Sequence, residues 1–180
     1  MIRILLFAIV FLPFSGLSQK RYFSEKSSIT FFSEGVIEDI KATNVKVTSR
    51  FDLASGDVAY LLSPKDFQFE KKLMQVHFNE KYMESEKYPR STFQGKIVGY
   101  DAANRQLQQV KAQGKLTIHG VTREIDIPGT LHIEGNTVNV KSKFKVKLED
   151  YNIKVPQIVW QNIAQEVEVT VEFLYRPVTN

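Results

Sequence analysis

The chain has 180 residues, enough for one ordinary domain that buries a core without disulfides or metals. At 43% hydrophobic and 24% charged residues, it is neither a disordered chain nor one embedded in a membrane throughout. The formal charge of +4 arises from 24 basic and 20 acidic residues that are interspersed, leaving no basic stripe for nucleic acid, and the absence of cysteine removes disulfides, thiol chemistry and thiolate metal sites.

The first residues differ in kind from the rest. Arg3 gives a short positive region, Ile4 to Leu12 is an apolar run, Pro13 breaks it, and Gly16-Leu17-Ser18 places small residues before a cut at Gln19. Residues 1–18 therefore read as a secretory signal, too short to span a bilayer as a helix, and residues 19–180 as the mature domain. The expectation is a periplasmic or secreted protein that does not span the membrane and has no cysteine for lipid attachment.

Strands follow. Arg21 to Ser24 and Ser27 to Glu34 read as two short segments, with Ile29 and Phe31 on one face. From Asn44 to Asp52, Val45, Val47, Ser49 and Phe51 alternate with Lys46, Thr48 and Arg50, and Ala54-Ser-Gly-Asp57 turns the chain into Val58, Tyr60 and Leu62 as a hairpin. Between Pro64 and Tyr88 the spacing of Phe67, Phe69, Leu73, Met74, His77, Phe78 and Tyr82 moves toward three and four, which predicts one or two short helices inserted around residues 65–88, ended by Pro89.

Beyond Ser91 the alternation resumes. Phe93, Gly95, Ile97 and Gly99 share a face, and Val110, Ala112, Gly114, Leu116 and Ile118 lead into a tight turn at His119-Gly120. Ile125, Ile127, Gly129, Leu131 and Ile133 continue on the outgoing strand. Next, Val138, Val140, Phe144, Val146 and Leu148 face inward against Lys141, Lys143, Lys145 and Lys147. The stretch from Tyr151 to Ile163 is mixed and holds the single tryptophan, Trp160. The last strand sets Val167, Val169, Val171, Phe173 and Tyr175 inward against Glu166, Glu168 and Glu172. A lysine row and a glutamate row pair favourably across an antiparallel ladder, so these two strands are expected to be neighbours.

Seven or eight long strands in hairpin order point to an all-β fold: an eight-stranded antiparallel barrel, or a sandwich, that leaves no open edge. Gly95, Gly99, Ala112, Gly114 and Gly129 fall on the inward register. They mark strand bends, or they leave a lumen beside Phe31, Phe51, Phe93 and Phe144, and the lumen is the expectation here.

The motif Gly114-Lys-Leu-Thr-Ile-His-Gly-Val-Thr122, preceded by Glu86-Lys-Tyr-Pro-Arg-Ser-Thr-Phe93 and followed by Phe144-Lys-Val-Lys-Leu-Glu-Asp-Tyr-Asn-Ile153, resembles the YceI-like family of exported lipid-binding proteins. The resemblance runs from about Ser28 to Tyr175, with Glu34-Gly35-Val36-Ile37 only a faint counterpart of the family's early Val-x-His and Gly-x-Phe elements. It implies a lipocalin-like barrel whose lumen holds the isoprenoid chain of a polyprenyl or quinone-type molecule.

Inward residues Phe31, Phe51, Tyr60, Phe93, Leu116, Ile127, Phe144 and Phe173 are the candidate ligand contacts, with Met74, Phe78, Tyr82 and Trp160 at a mouth or lid. His77, His119 and His132 are the only histidines; His77 near Glu80 and Glu84 forms an acid-base or metal site only if a second histidine folds onto it. No Gly-x-Ser-x-Gly elbow, phosphate loop or dinucleotide fingerprint occurs, so no catalytic residue, metal or cofactor is assigned. The leading expectation is a binder of a long-chain isoprenoid or other lipid. The alternative is a ligand-free structural or interaction barrel of the cell envelope, and sequence leaves monomer and homodimer both open.

Overall fold

The computed structural model describes residues 21–35, 38–155 and 164–178. The strands are β1 (Arg21–Ser33), β2 (Ile40–Asn44), β3 (Thr48–Asp52), β4 (Asp57–Leu62), β5 (Gln68–Phe69), β6 (Ser91–Val98), β7 (Gln108–Ile118), β8 (Val121–Glu134), β9 (Thr137–Lys147) and β10 (Glu166–Pro177). A short helix, α1 (Lys72–His77), leads into a π-helical turn at Phe78–Tyr82. Eight strands close an antiparallel barrel in the order β1, β3, β4, β6, β7, β8, β9, β10, with β10 pairing back onto β1. Closure leaves the eight barrel strands without an open edge, while β2 and the two-residue β5 pair on from β1 as a short branch. Among the described residues no helix is long and apolar enough to cross a membrane.

The hairpin at the centre of the sequence sets much of the register. His119 and Gly120 both take positive φ, 50° and 75°, the geometry of a two-residue turn whose twist matches that of its strands. β7 and β8 then pair without interruption from Ile118↔Val121 to Gln108↔Leu131. Across β9 and β10 the lysine and glutamate rows meet as expected: Lys141–Glu172 and Lys143–Glu168 are both 2.8 Å, while Lys145 and Lys147 reach Glu166 at 3.6 and 3.8 Å.

Three sequence expectations need correction. The two segments at the start are one strand, and the gap between them is a register shift between Ser24 and Lys26 where β1 pairs with β10. The run from Asn44 to Asp52 is not continuous. Buried Asn44 donates from Nδ2 to the Ser63 carbonyl and accepts the Lys46 N–H on Oδ1, which ends β2 and leaves Val45 62% exposed, off the inward register.

The third correction concerns the glycines. Gly95 and Gly114 sit directly opposite each other on β6 and β7, where a Cβ on Gly114 would lie 2.5 Å from Gly95 Cα. They let two backbones approach and do not open a lumen. A Cβ on Gly129 would likewise meet the Lys141 carbonyl at 2.6 Å, and Gly99 has φ +87° just after β6. None of these residues, nor Ala112, borders the cavity described below.

One half of the barrel interior is filled by rings. Phe51, Tyr175, Phe173, Tyr60 and Phe93 follow one another at centroid separations of 5.6, 5.6, 5.8 and 5.5 Å, in tilted and offset arrangements favoured by aromatic quadrupoles. Tyr175 shares a 2.6 Å hydrogen bond with Ser49 Oγ, so its buried hydroxyl is satisfied, and burial raises its ionisation above the ordinary tyrosine range.

Candidate functional site

The other half of the barrel is open. A cavity of about 290 Å³ begins where the ring stack ends and runs to the end of the barrel marked by Ser33 of β1, Leu62 of β4, Ser91 of β6 and Ile118 of β7. Antiparallel order brings these strand ends together with Val146 of β9 and Val167 of β10. The excursion between β4 and β6 supplies the remaining wall through Phe67, Phe69, Met74, His77, Phe78, Tyr82 and Met83.

Four rings hold that excursion on the barrel. Phe78 stacks on Phe31 of β1 at 5.3 Å, and Phe67 and Phe69 meet Phe31 edge-on at 5.4 and 5.7 Å. α1 has only six residues and none is buried, so its propensity contributes little by itself; these rings, not helix formation, fix its place. Its outer side leaves Leu73 65% exposed while Met74 borders the cavity.

Of the sequence-nominated residues, Phe31, Tyr60, Met74, Phe78, Tyr82, Leu116 and Phe144 border the cavity. Phe51, Phe93 and Phe173 are buried in the ring stack beyond it, and Ile127 is half-buried on β8 away from it. Trp160 lies outside the described residues. Residues that the sequence reading did not nominate complete the wall, among them Ile29, Ile40, Phe69, Val146, Leu148, Ile153 and Val169. The signal that finds several of them is positional: they sit on the inward register near the same barrel end as Phe31, Leu116 and Phe144.

The wall is apolar. Among the described residues no Asp, Glu, Lys or Arg borders the cavity, and the polar side chains that do are those of Ser33, Tyr60, His77, Tyr82 and Ser91. Burial raises the ionisation of both Tyr60 and Tyr82 above the ordinary tyrosine range, so both remain neutral near neutral pH. Ser33 Oγ is buried without a hydrogen-bond partner. Such a wall accepts hydrocarbon and excludes an ion, because a charge moved here loses its hydration without gaining a partner.

Behind the excursion, His119 is buried at 6% exposure. Its Nε2 is 2.8 Å from Glu84 Oε2, its Nδ1 is 3.1 Å from the Tyr151 carbonyl, and the Tyr88 ring lies 4.3 Å away. Glu84 is therefore engaged with His119 and does not join His77. Among the described residues no group of three or more His, Cys, Asp or Glu is placed to hold a metal.

The model of the YceI-like domain matches residues 22–174. The structure is similar to that of BcnA from Burkholderia cenocepacia, at 19% identity and TM-score 0.70 over 82% of this chain and 95% of that one. It is also similar to a polyisoprenoid binding domain from Saccharophagus degradans implicated in plant cell wall breakdown, at 14% identity and TM-score 0.75 over 87% and 98%. A Campylobacter jejuni YceI protein aligns at 15% identity and TM-score 0.58 over 99% and 94%. No curated protein matches the sequence. At these identities the structural likeness establishes the barrel, and the match over residues 22–174 establishes the kinship: the chain belongs to the YceI-like family.

Proposed function

We propose that the barrel holds the apolar chain of a polyisoprenoid or quinone-like amphiphile in its open half, as an exported binding protein and not an enzyme. The observation that carries this reading is a cavity of about 290 Å³ bordered, among the described residues, by no Asp, Glu, Lys or Arg. The Saccharophagus degradans neighbour, described as a polyisoprenoid binding domain, supports the ligand class. Each buried CH₂ contributes roughly 0.8 kcal/mol, and association costs roughly 4 to 15 kcal/mol. Twelve to fifteen buried carbons contribute about 10 to 12 kcal/mol and offset all but the top of that range, so a chain of three or more isoprene units binds without any charged anchor. Export rests on the signal-like pattern of residues 1–18 and is read out separately, by the mass of the N-terminus of the protein recovered from cells.

The test is thermal unfolding with and without geranylgeraniol, on the natural chain and on Leu116→Trp, which fills the cavity from a buried wall position. The natural chain is expected to melt higher with the alcohol, and the filled variant to show no shift. An unchanged melting temperature for the natural chain contradicts the proposal.

A further inference from the structure

Tyr60 is half-buried on the cavity wall. Tyr175 Oη is bonded to Ser49, and the half-buried Tyr100 donates to the Leu53 carbonyl at 2.8 Å. Tyr60 Oη has no hydrogen-bond partner among the described residues, although the residue borders the cavity and its ring is held between Phe93 at 5.5 Å and Phe173 at 5.8 Å. Burial keeps the phenol protonated, so the group remains a donor. A water molecule is a poor permanent partner here, because it needs two to four polar contacts and this wall has few polar groups.

We propose that Tyr60 Oη donates a hydrogen bond to the bound ligand, so that the cavity selects an apolar molecule carrying an acceptor oxygen, a carbonyl or ether, over a hydrocarbon of the same shape. This rests on the reading of the cavity as a lipid site. A ligand oxygen at Tyr60 supplies the bond that the free protein leaves unmade, and a pure hydrocarbon leaves the hydroxyl unpartnered and more deeply desolvated. Tyr60 is thus a specificity residue, whereas Phe31, Leu116 and Phe144 supply burial indifferent to functional group.

The experiment compares two probes delivered from cyclodextrin: farnesyl methyl ether and the hydrocarbon in which CH₂ replaces its oxygen. Their affinities are measured on the natural chain and on Tyr60→Phe. The natural chain is expected to prefer the ether by about tenfold, and Tyr60→Phe to lose that preference while binding the hydrocarbon within about twofold of the natural chain. Without ligand, Tyr60→Phe is expected to unfold at no lower temperature, since the variant removes a hydroxyl that has no partner; a purely structural role would lower it. Equal affinity of the natural chain for the two probes overturns the assignment, as does an ether preference that survives in Tyr60→Phe. If neither probe binds the natural chain, the lipid reading of the cavity fails, and the selectivity proposal falls with it.

Discussion

His119 Nε2 and Glu84 Oε2 stand 2.8 Å apart, joining the tight turn between β7 and β8 to the later part of the excursion. With Nδ1 facing the Tyr151 carbonyl at 3.1 Å, the ring has an oxygen on each side. The three non-glycine residues with positive φ among those described, Glu84 at 42°, His119 at 50° and Asn152 at 55°, all belong to this junction or adjoin it. Backbone held in a sparsely populated region persists where its surroundings over-determine it, and here they do. The consequence is a fixed cavity wall, since Tyr82 and Met83 precede Glu84 and Ile153 follows Tyr151 closely.

Removing the carboxylate isolates a buried ring nitrogen. Glu84→Ala is expected to lower the free energy of unfolding by about 1 kcal/mol, the contribution of an ordinary hydrogen bond, because the glutamate is 44% exposed. Glu84→Gly should lose less, since glycine accepts φ 42° without the Cβ penalty. Urea denaturation of both variants checks the order; a Glu84→Gly variant weaker than Glu84→Ala contradicts it.

Either member of the facing glycine pair resists any side chain. Gly95→Ala and Gly114→Ala each place a Cβ against backbone atoms of the partner strand and force β6 and β7 apart. A loss of at least about 2 kcal/mol is expected, in the range of overpacked cores. Alanine at either position without cost, measured by denaturation, would mean the strands do not approach as described.

The lysine and glutamate rows are expected to matter little singly. Lys141 and Glu172 are both solvent-exposed, so a double-mutant cycle on them should return about 0.2 to 1 kcal/mol, shrinking as salt is raised. A coupling several times larger would show that the pair is shielded from water.

Tyr60 and Tyr175 set an alkaline limit. In both, burial raises the folded-state ionisation above the ordinary tyrosine value of 10.0, so the neutral phenol is favoured by folding. The stability this contributes is fully present below pH 10.0, where the unfolded tyrosines are also neutral, and is lost as pH rises above it. Ultraviolet titration should show these two ionising last, together with unfolding. Tyr175→Phe should also cost about 1 kcal/mol through the lost Ser49 bond, a loss not expected for Tyr60→Phe.

Much of the barrel is legible in the alternation itself. The turn at His119-Gly120, the pairing of β9 with β10 and the excursion after Leu62 each follow from residue type and spacing, because strand period and turn chemistry are local properties. The site is less so. Phe93 and Phe144 occupy the same inward register, and nothing within either strand says that one faces a filled half and the other an open one. Gly95 and Gly114 show their role only once they are known to be opposite each other, and the break at Asn44 depends on the distant Ser63 carbonyl. Phe67 and Phe69 border the cavity because Phe31 and Phe78 receive them, a contact that no local period encodes.

Whether the barrel carries a lipid is read most plainly by native mass spectrometry of the protein purified from its own cells without detergent, followed by organic extraction. A mass above that of the bare chain is expected, with an extract containing a long-chain isoprenoid or similar amphiphile. A mass equal to the bare chain, with no rise in melting temperature on adding isoprenoids, would contradict the lipid reading and leave the barrel a ligand-free interaction module.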